Sequence, residues 1–67
     1  MEYTVSEINN YIREKGLGKN YYAKLSKDPL FGESICIMLK YQNGSSGAVF
    51  SSTEEDKLKA FIDSKVS

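Results

Sequence analysis

Histidine is absent from this 67-residue chain. Its absence removes the commonest general base, the commonest metal ligand and every Ser-His or Cys-His nucleophile arrangement. Cysteine occurs once, at Cys36, so no disulfide can close within the chain. A zinc site, which takes about four Cys, His or carboxylate ligands, lacks its usual donors. A single unpaired cysteine fits a reducing compartment, most simply the cytoplasm. No net charge is left once nine basic and nine acidic residues cancel, which argues against a strong nonspecific nucleic-acid binder. No apolar run approaches the ~20 residues of a membrane span. Met1-Glu2-Tyr3-Thr4 lacks the basic and apolar regions of a signal peptide, so the chain is read as a mature protein. Neither G-x-x-x-x-G-K-[ST] nor G-x-G-x-x-G occurs, and no phosphate-cradling loop is signalled. Paired carboxylates or a Ser–Lys nucleophile leave no spacing signature. With nothing beside it to lower its pKa, Cys36 reads as a small semi-buried residue rather than a reactive thiol. No catalytic residue, metal ligand or cofactor is expected, and the chain is not read as an enzyme.

What is present specifies a single small α+β domain over residues 1–67. A chain this short buries only about 60% of the surface its unfolded form exposes, and one core of this size supplies at most roughly 3–5 kcal/mol. The clearest segment is Ser34–Tyr41, where Ile35, Ile37, Leu39 and Tyr41 alternate with Ser34, Cys36, Met38 and Lys40, the period of a half-buried strand. Asn43-Gly44-Ser45-Ser46-Gly47 turns the chain back into Ala48-Val49-Phe50. Thr4-Val5-Ser6-Glu7 forms a capping-box pattern with Tyr3 placed to staple Ile8, opening a helix from about Val5 to Lys15. Val5, Ile8 and Ile12, with Tyr11 alongside, form its apolar stripe. Gly16 follows as a left-handed C-cap, with Leu17 expected to fold back on Ile12. From Lys19 to Lys27, Tyr21, Ala23 and Leu25 alternate as in a strand, although Tyr21 and Leu25 also stand four apart as in a short helix. Adjacent tyrosines favour the strand. Pro29 and Gly32 mark a loop, with Leu30 and Phe31 expected to tuck against the core. A last helix begins near Ser52 or Thr53, with Leu58, Phe61, Ile62 and Val66 as its buried stripe. The expected architecture is α-β-β-β-α, a three-stranded antiparallel sheet with both helices packed on one face.

The charges are unevenly placed. Arg13, Lys15, Lys19, Lys24 and Lys27 fall in the first half, and Glu54, Glu55 and Asp56 form a triplet. Acids in the first turn of a helix complement its dipole, and that alone explains the triplet structurally. The functional reading is an acidic knob that meets a basic partner, extended by Asp28 and Glu33. The sheet face away from the helices carries Tyr22, Cys36 and Met38, with Lys24 and Lys40 at the rim, a pattern that suits a contact patch unless Leu30 and Phe31 cover it.

The order α-β-β-β-α and a helix ending Arg13-Glu14-Lys15-Gly16-Leu17 resemble the double-stranded-RNA-binding domain. That resemblance implies RNA contacts from the first helix, the loop between the first two strands and the start of the last helix. Here the loop is Asp28-Pro29-Leu30-Phe31-Gly32 without histidine, and acids stand where that family has lysines. The topology is also similar to that of small phage-encoded anti-CRISPR inhibitors, through Lys24-Leu25-Ser26, Ile35-Cys36-Ile37-Met38-Leu39 and Lys59-Ala60-Phe61-Ile62. This resemblance implies occlusion of a nucleoprotein's DNA site by acidic residues. Tyr3 to Ile12 is similar to the opening helix of the exonuclease VII large subunit. The leading expectation is a non-enzymatic protein of phage or mobile-element type that inhibits by occupying a protein or nucleoprotein surface. Its binding residues would be Glu54, Glu55, Asp56, Asp28, Glu33, Tyr22 and Met38. The alternative is a nucleic-acid-binding module using Arg13, Lys15, Lys19 and Lys24. Neither reading involves a membrane, and the edge strands of the sheet leave a dimer open.

Overall fold

One strongly apolar strand face and two amphipathic helices are enough to set the layering. The computed structural model describes residues 2–30 and 32–66, and only the backbone of residues 2, 3 and 28. The elements follow in the order α1 (Glu2–Glu14), β1 (Tyr21–Asp28), β2 (Gly32–Lys40), β3 (Ser46–Ser52) and α2 (Glu55–Lys65). The sheet is an antiparallel meander with β2 in the middle. Ile35 and Ile37 of β2, Ala23 of β1, Ile8 and Ile12 of α1 and Leu58 and Ile62 of α2 form one buried cluster. Both helices therefore cover the same face of the sheet, as the alternation in β2 requires. Each fully buried Ile or Leu contributes roughly 1.5–3 kcal/mol of transfer free energy.

Helix α1 begins at Glu2, so Thr4 lies in its first turn instead of capping it. An acidic residue early in the helix suits the positive end of the dipole. The Tyr3 staple and the placement of Phe31 fall outside the described side chains. The other end closes as expected: Gly16 adopts φ 79°, its N–H bonds Arg13 O at 3.0 Å, and Leu17 N–H bonds Ile12 O at 3.0 Å. These two bonds make a Schellman motif, and Leu17 packs against the core that contains Ile12.

The ambiguous segment is a strand. Lys19 and Asn20 are used in the turn, where the Asn20 and Tyr21 N–H groups both bond Leu17 O. From Tyr21 onward every residue pairs with β2. Leu30 does not cover the sheet, being 86% exposed at the tip of the first hairpin. The second turn forms two residues earlier than the glycine-serine run suggests. Gly44 N–H bonds Tyr41 O at 3.1 Å and Tyr41 N–H bonds Ser45 O at 2.8 Å, while Asn43 Oδ1 accepts from the Ser45 amide. Gly44 takes the left-handed conformation this requires, at φ 88°. A register shift between Ile37 and Met38 leaves Val49 as an extra residue in β3. Helix α2 starts at Glu55 with Glu54 as N-cap and no side-chain capping bond. The Ser52 hydroxyl instead accepts from Glu54 N–H, 3.0 Å away, forming a local turn that delays the helix.

One polar contact fixes α1 to the sheet edge. Asn9 Nδ2 donates to Ala23 O at 3.0 Å, and Ala23 N–H donates to Asn9 Oδ1 at 2.9 Å. The Asn9 amide thus acts as a one-residue neighbour for an edge strand that would otherwise expose both groups. Asn9→Ala is expected to cost about 1–3 kcal/mol, since both backbone groups lose their partner in a half-buried setting. Urea denaturation is the check, and an unchanged midpoint would show that water replaces the amide without loss.

Candidate binding surface

The face of the sheet away from the helices carries Tyr22, Met38 and Ala48 in one cross-strand row and Lys24, Cys36 and Ser51 in the next. Tyr22 crosses the middle strand: its hydroxyl lies 3.0 Å from Ser46 Oγ on β3. Lys40 Nζ stands 5.5 Å from the centre of the same ring and donates to Gly18 O at 3.3 Å. This bridge explains why Met38, which sits opposite Tyr22 on the uncovered face, is only 7% exposed. Met38 is therefore shielded rather than offered for contact, and Tyr22 itself is half-buried. Cys36 is a half-buried free thiol.

The two helices run in the same direction. Glu55 near the start of α2 lies beside Glu7 of α1, and Asp63 near its end accepts from the Tyr11 hydroxyl. Both N-termini consequently lie at the end of the sheet that carries the β1–β2 hairpin, since Ser52 pairs with Ile35 close to that hairpin. Glu33 and the backbone of Asp28 are thereby brought to the same end as Glu54, Glu55 and Asp56. The opposite end collects Arg13, Lys15 and Lys19 around the loop after α1, with Lys40 reaching that loop through Gly18 O. Lys24 stands apart from this group, on the uncovered sheet face opposite Cys36.

The acidic triplet does not act as a unit. Successive helical residues diverge around the axis, and each acid meets different neighbours. Glu54 pairs with Lys57 at 2.8 Å and holds the Lys57 pKa above its ordinary value, chiefly through that hydrogen bond. Glu55 pairs with Lys59 at 3.2 Å. Its pKa is lowered, first by the hydrogen bond with the Glu7 carboxyl and next by Lys59. Asp56 is exposed. At the hairpin, Glu33 lies 3.9 Å from Lys27. All these pairs are exposed and contribute little to folding, so their carboxylates remain available to another cation.

A groove of about 240 Å³ between the helices is lined by Glu7, Asn10, Tyr11, Glu14 and Lys59. It is smaller than the roughly 300 Å³ at which ligand pockets begin. Among the described residues no group of His, Cys, Asp or Glu stands together as a metal site would need. No described helix is long and apolar enough to cross a membrane. The chain matches no family model, no curated protein and no solved structure.

Tyr11 was legible as a core-flanking residue, but its role in joining the helices was not. Besides bonding Asp63, it has the ammonium groups of Lys15 and Lys59 at 5.2 and 5.4 Å from its ring centre. Its pKa is raised above 10.0, most by the hydrogen bond to Asp63. A phenol whose pKa is raised on folding contributes stability below pH 10 that disappears as pH climbs through the folded value. Tyr11 is expected to titrate above 10 by NMR, and Asp63→Asn to bring it back towards 10. Titration unchanged by Asp63→Asn would remove this contact from the helix interface.

Proposed function

We propose that this chain is a non-enzymatic binding protein that occupies a basic surface of a protein or nucleoprotein partner, as inhibitors from phages and mobile elements do. The observation that supports this reading is that Glu33 of the first hairpin lies at the same end of the molecule as residues 54–56 of the last helix. Their lysine partners are exposed, so a basic cleft can replace them at little cost. A cleft that normally receives nucleic acid phosphates is the surface best matched to such a pole. Resemblance to anti-CRISPR inhibitors points the same way and makes a CRISPR effector nuclease the first partner to test.

A second reading rests on the opposite pole. Arg13, Lys15 and Lys19 stand with Lys40 around one loop, a modest phosphate-binding surface for a nucleic-acid-binding module. Binding through it would weaken steeply with added salt.

The decisive experiment is capture on immobilised protein from nuclease-treated and untreated host lysate, followed by cleavage assays with any effector nuclease retained. Retention after nuclease treatment, inhibition of cleavage, and at least a tenfold loss of affinity in the Glu54→Ala, Glu55→Ala, Asp56→Ala variant are expected. Unchanged affinity in that variant would remove the acidic pole from the interface. Loss of all captured material on nuclease treatment would transfer the function to the basic pole.

A further inference from the structure

The two edges of the sheet are treated differently. On β1, Asn9 bonds both backbone groups of Ala23 and Leu17 O takes the Tyr21 N–H. Lys24 and Lys27 add charge along the same strand, the usual protection of an edge against further pairing. On β3 there is no charge and no proline across all seven residues, Ser46-Gly47-Ala48-Val49-Phe50-Ser51-Ser52. The free groups of this edge follow from the ladder. Ala23 turns both its polar groups away from β2, so its partner Ile37 turns its own towards β3 and bonds Phe50. The next pair, Cys36 with Ser51, is then of the non-bonded type. Ser51 therefore points its N–H and C=O outward, and no described hydrogen bond reaches them.

The rim beside this edge is apolar and incompletely covered. Phe50 of β3 and Phe61 of α2 stack at 4.8 Å with 8° between their planes, yet both are only half-buried. Val49 is 40% exposed. The flank of α2 turned away from α1 carries Glu54 at one end and Lys65 at the other, with Lys65 Nζ 5.2 Å from the Phe61 ring centre.

We propose that β3 is a dimerisation edge, pairing antiparallel with β3 of a second copy to make one six-stranded sheet. The occupant is another copy because the edge is self-complementary. A two-fold axis normal to the sheet brings each strand onto an identical, uncharged strand. The same axis sets the two α2 helices antiparallel, so Glu54 of each copy faces the Lys65 end of the other, and the Phe50–Phe61 rims meet at the centre. Glu54 also pairs with the exposed Lys57 of its own chain at 2.8 Å, so Lys65 of the other copy shares that carboxylate with it. The pairing uses Glu54 alone of the acids at the hairpin end and leaves Glu33, Glu55 and Asp56 turned outward. Glu54 is shared with the acidic surface of the proposed function, and Val49→Lys, which alters none of those acids, separates the two readings.

Sedimentation velocity over a micromolar to millimolar series of the full chain tests this. A rise from monomer to dimer with concentration is expected, whereas a monomer throughout would overturn the proposal and leave the edge to a different extended segment. Val49→Lys, checked for an unchanged far-ultraviolet circular dichroism spectrum, is expected to weaken the dimer at least tenfold. A folded Val49→Lys variant that dimerises normally would place the contact elsewhere. Glu54→Lys and Lys65→Glu should each weaken association and together restore it. Failure of the double variant to recover would exclude the two-fold arrangement.

Discussion

The middle strand bears the structure. Ile35 and Ile37 are fully buried because β2 alone has a hydrogen-bonded neighbour on each side and a helix layer above. The other buried side chains of the cluster, from β1 and both helices, gather with these two in one core. With 67 residues there is material for one apolar layer and no more. That limit decides which face of the sheet is covered, where the helices lie, and why the second face must manage with side chains of the sheet itself.

The second face solves its exposure locally. Tyr22 lies across β2 with its hydroxyl on Ser46 and Lys40 over its ring. An aromatic side chain so placed removes Met38 from water while keeping its own polar end hydrogen-bonded. An expected contact patch is thus partly a cover, and what remains outward is largely serine, lysine and the β3 edge.

The helix layer has an electrostatic consequence. Two helices running in the same direction place both positive dipole ends together, an arrangement offset by acids in their first turns. The acids of α2 therefore have a structural reason for being where they are. Their convergence with Glu33 of the hairpin has none of that kind, because Glu33 lies on a strand. Glu33 is held instead by its cross-strand partner Lys27, so the acids at this end come from two local causes, a helix dipole and a strand pair. The groove between the helices is a shallow, open one, with Tyr11 and Lys59 among its lining residues.

Much of this architecture was written in local periodicity. Alternation from Ser34 to Lys40 specified β2 and its buried face, the stripe of Val5, Ile8 and Ile12 specified α1, and Gly16 specified its end. These features are legible because they depend on neighbours within one turn or one strand. Helix starts were misplaced because several residues near each one can bond the first amides. Ser52 satisfies Glu54 as a turn rather than a cap, and α1 extends upstream of Thr4. The Asn9 clamp, the Tyr22 bridge, the extra residue at Val49 and the two charged ends were not legible. Each joins groups brought together by the path of the chain: Asn9 and Ala23 are 14 positions apart, Tyr22 and Ser46 are 24, and Tyr11 and Asp63 are 52. The sequence alone therefore determined the elements and the one apolar face, through short-range sterics and burial. Tertiary structure alone decided which polar groups meet, because hydrogen bonds and ion pairs act only over a few ångströms and pattern carries no record of distance.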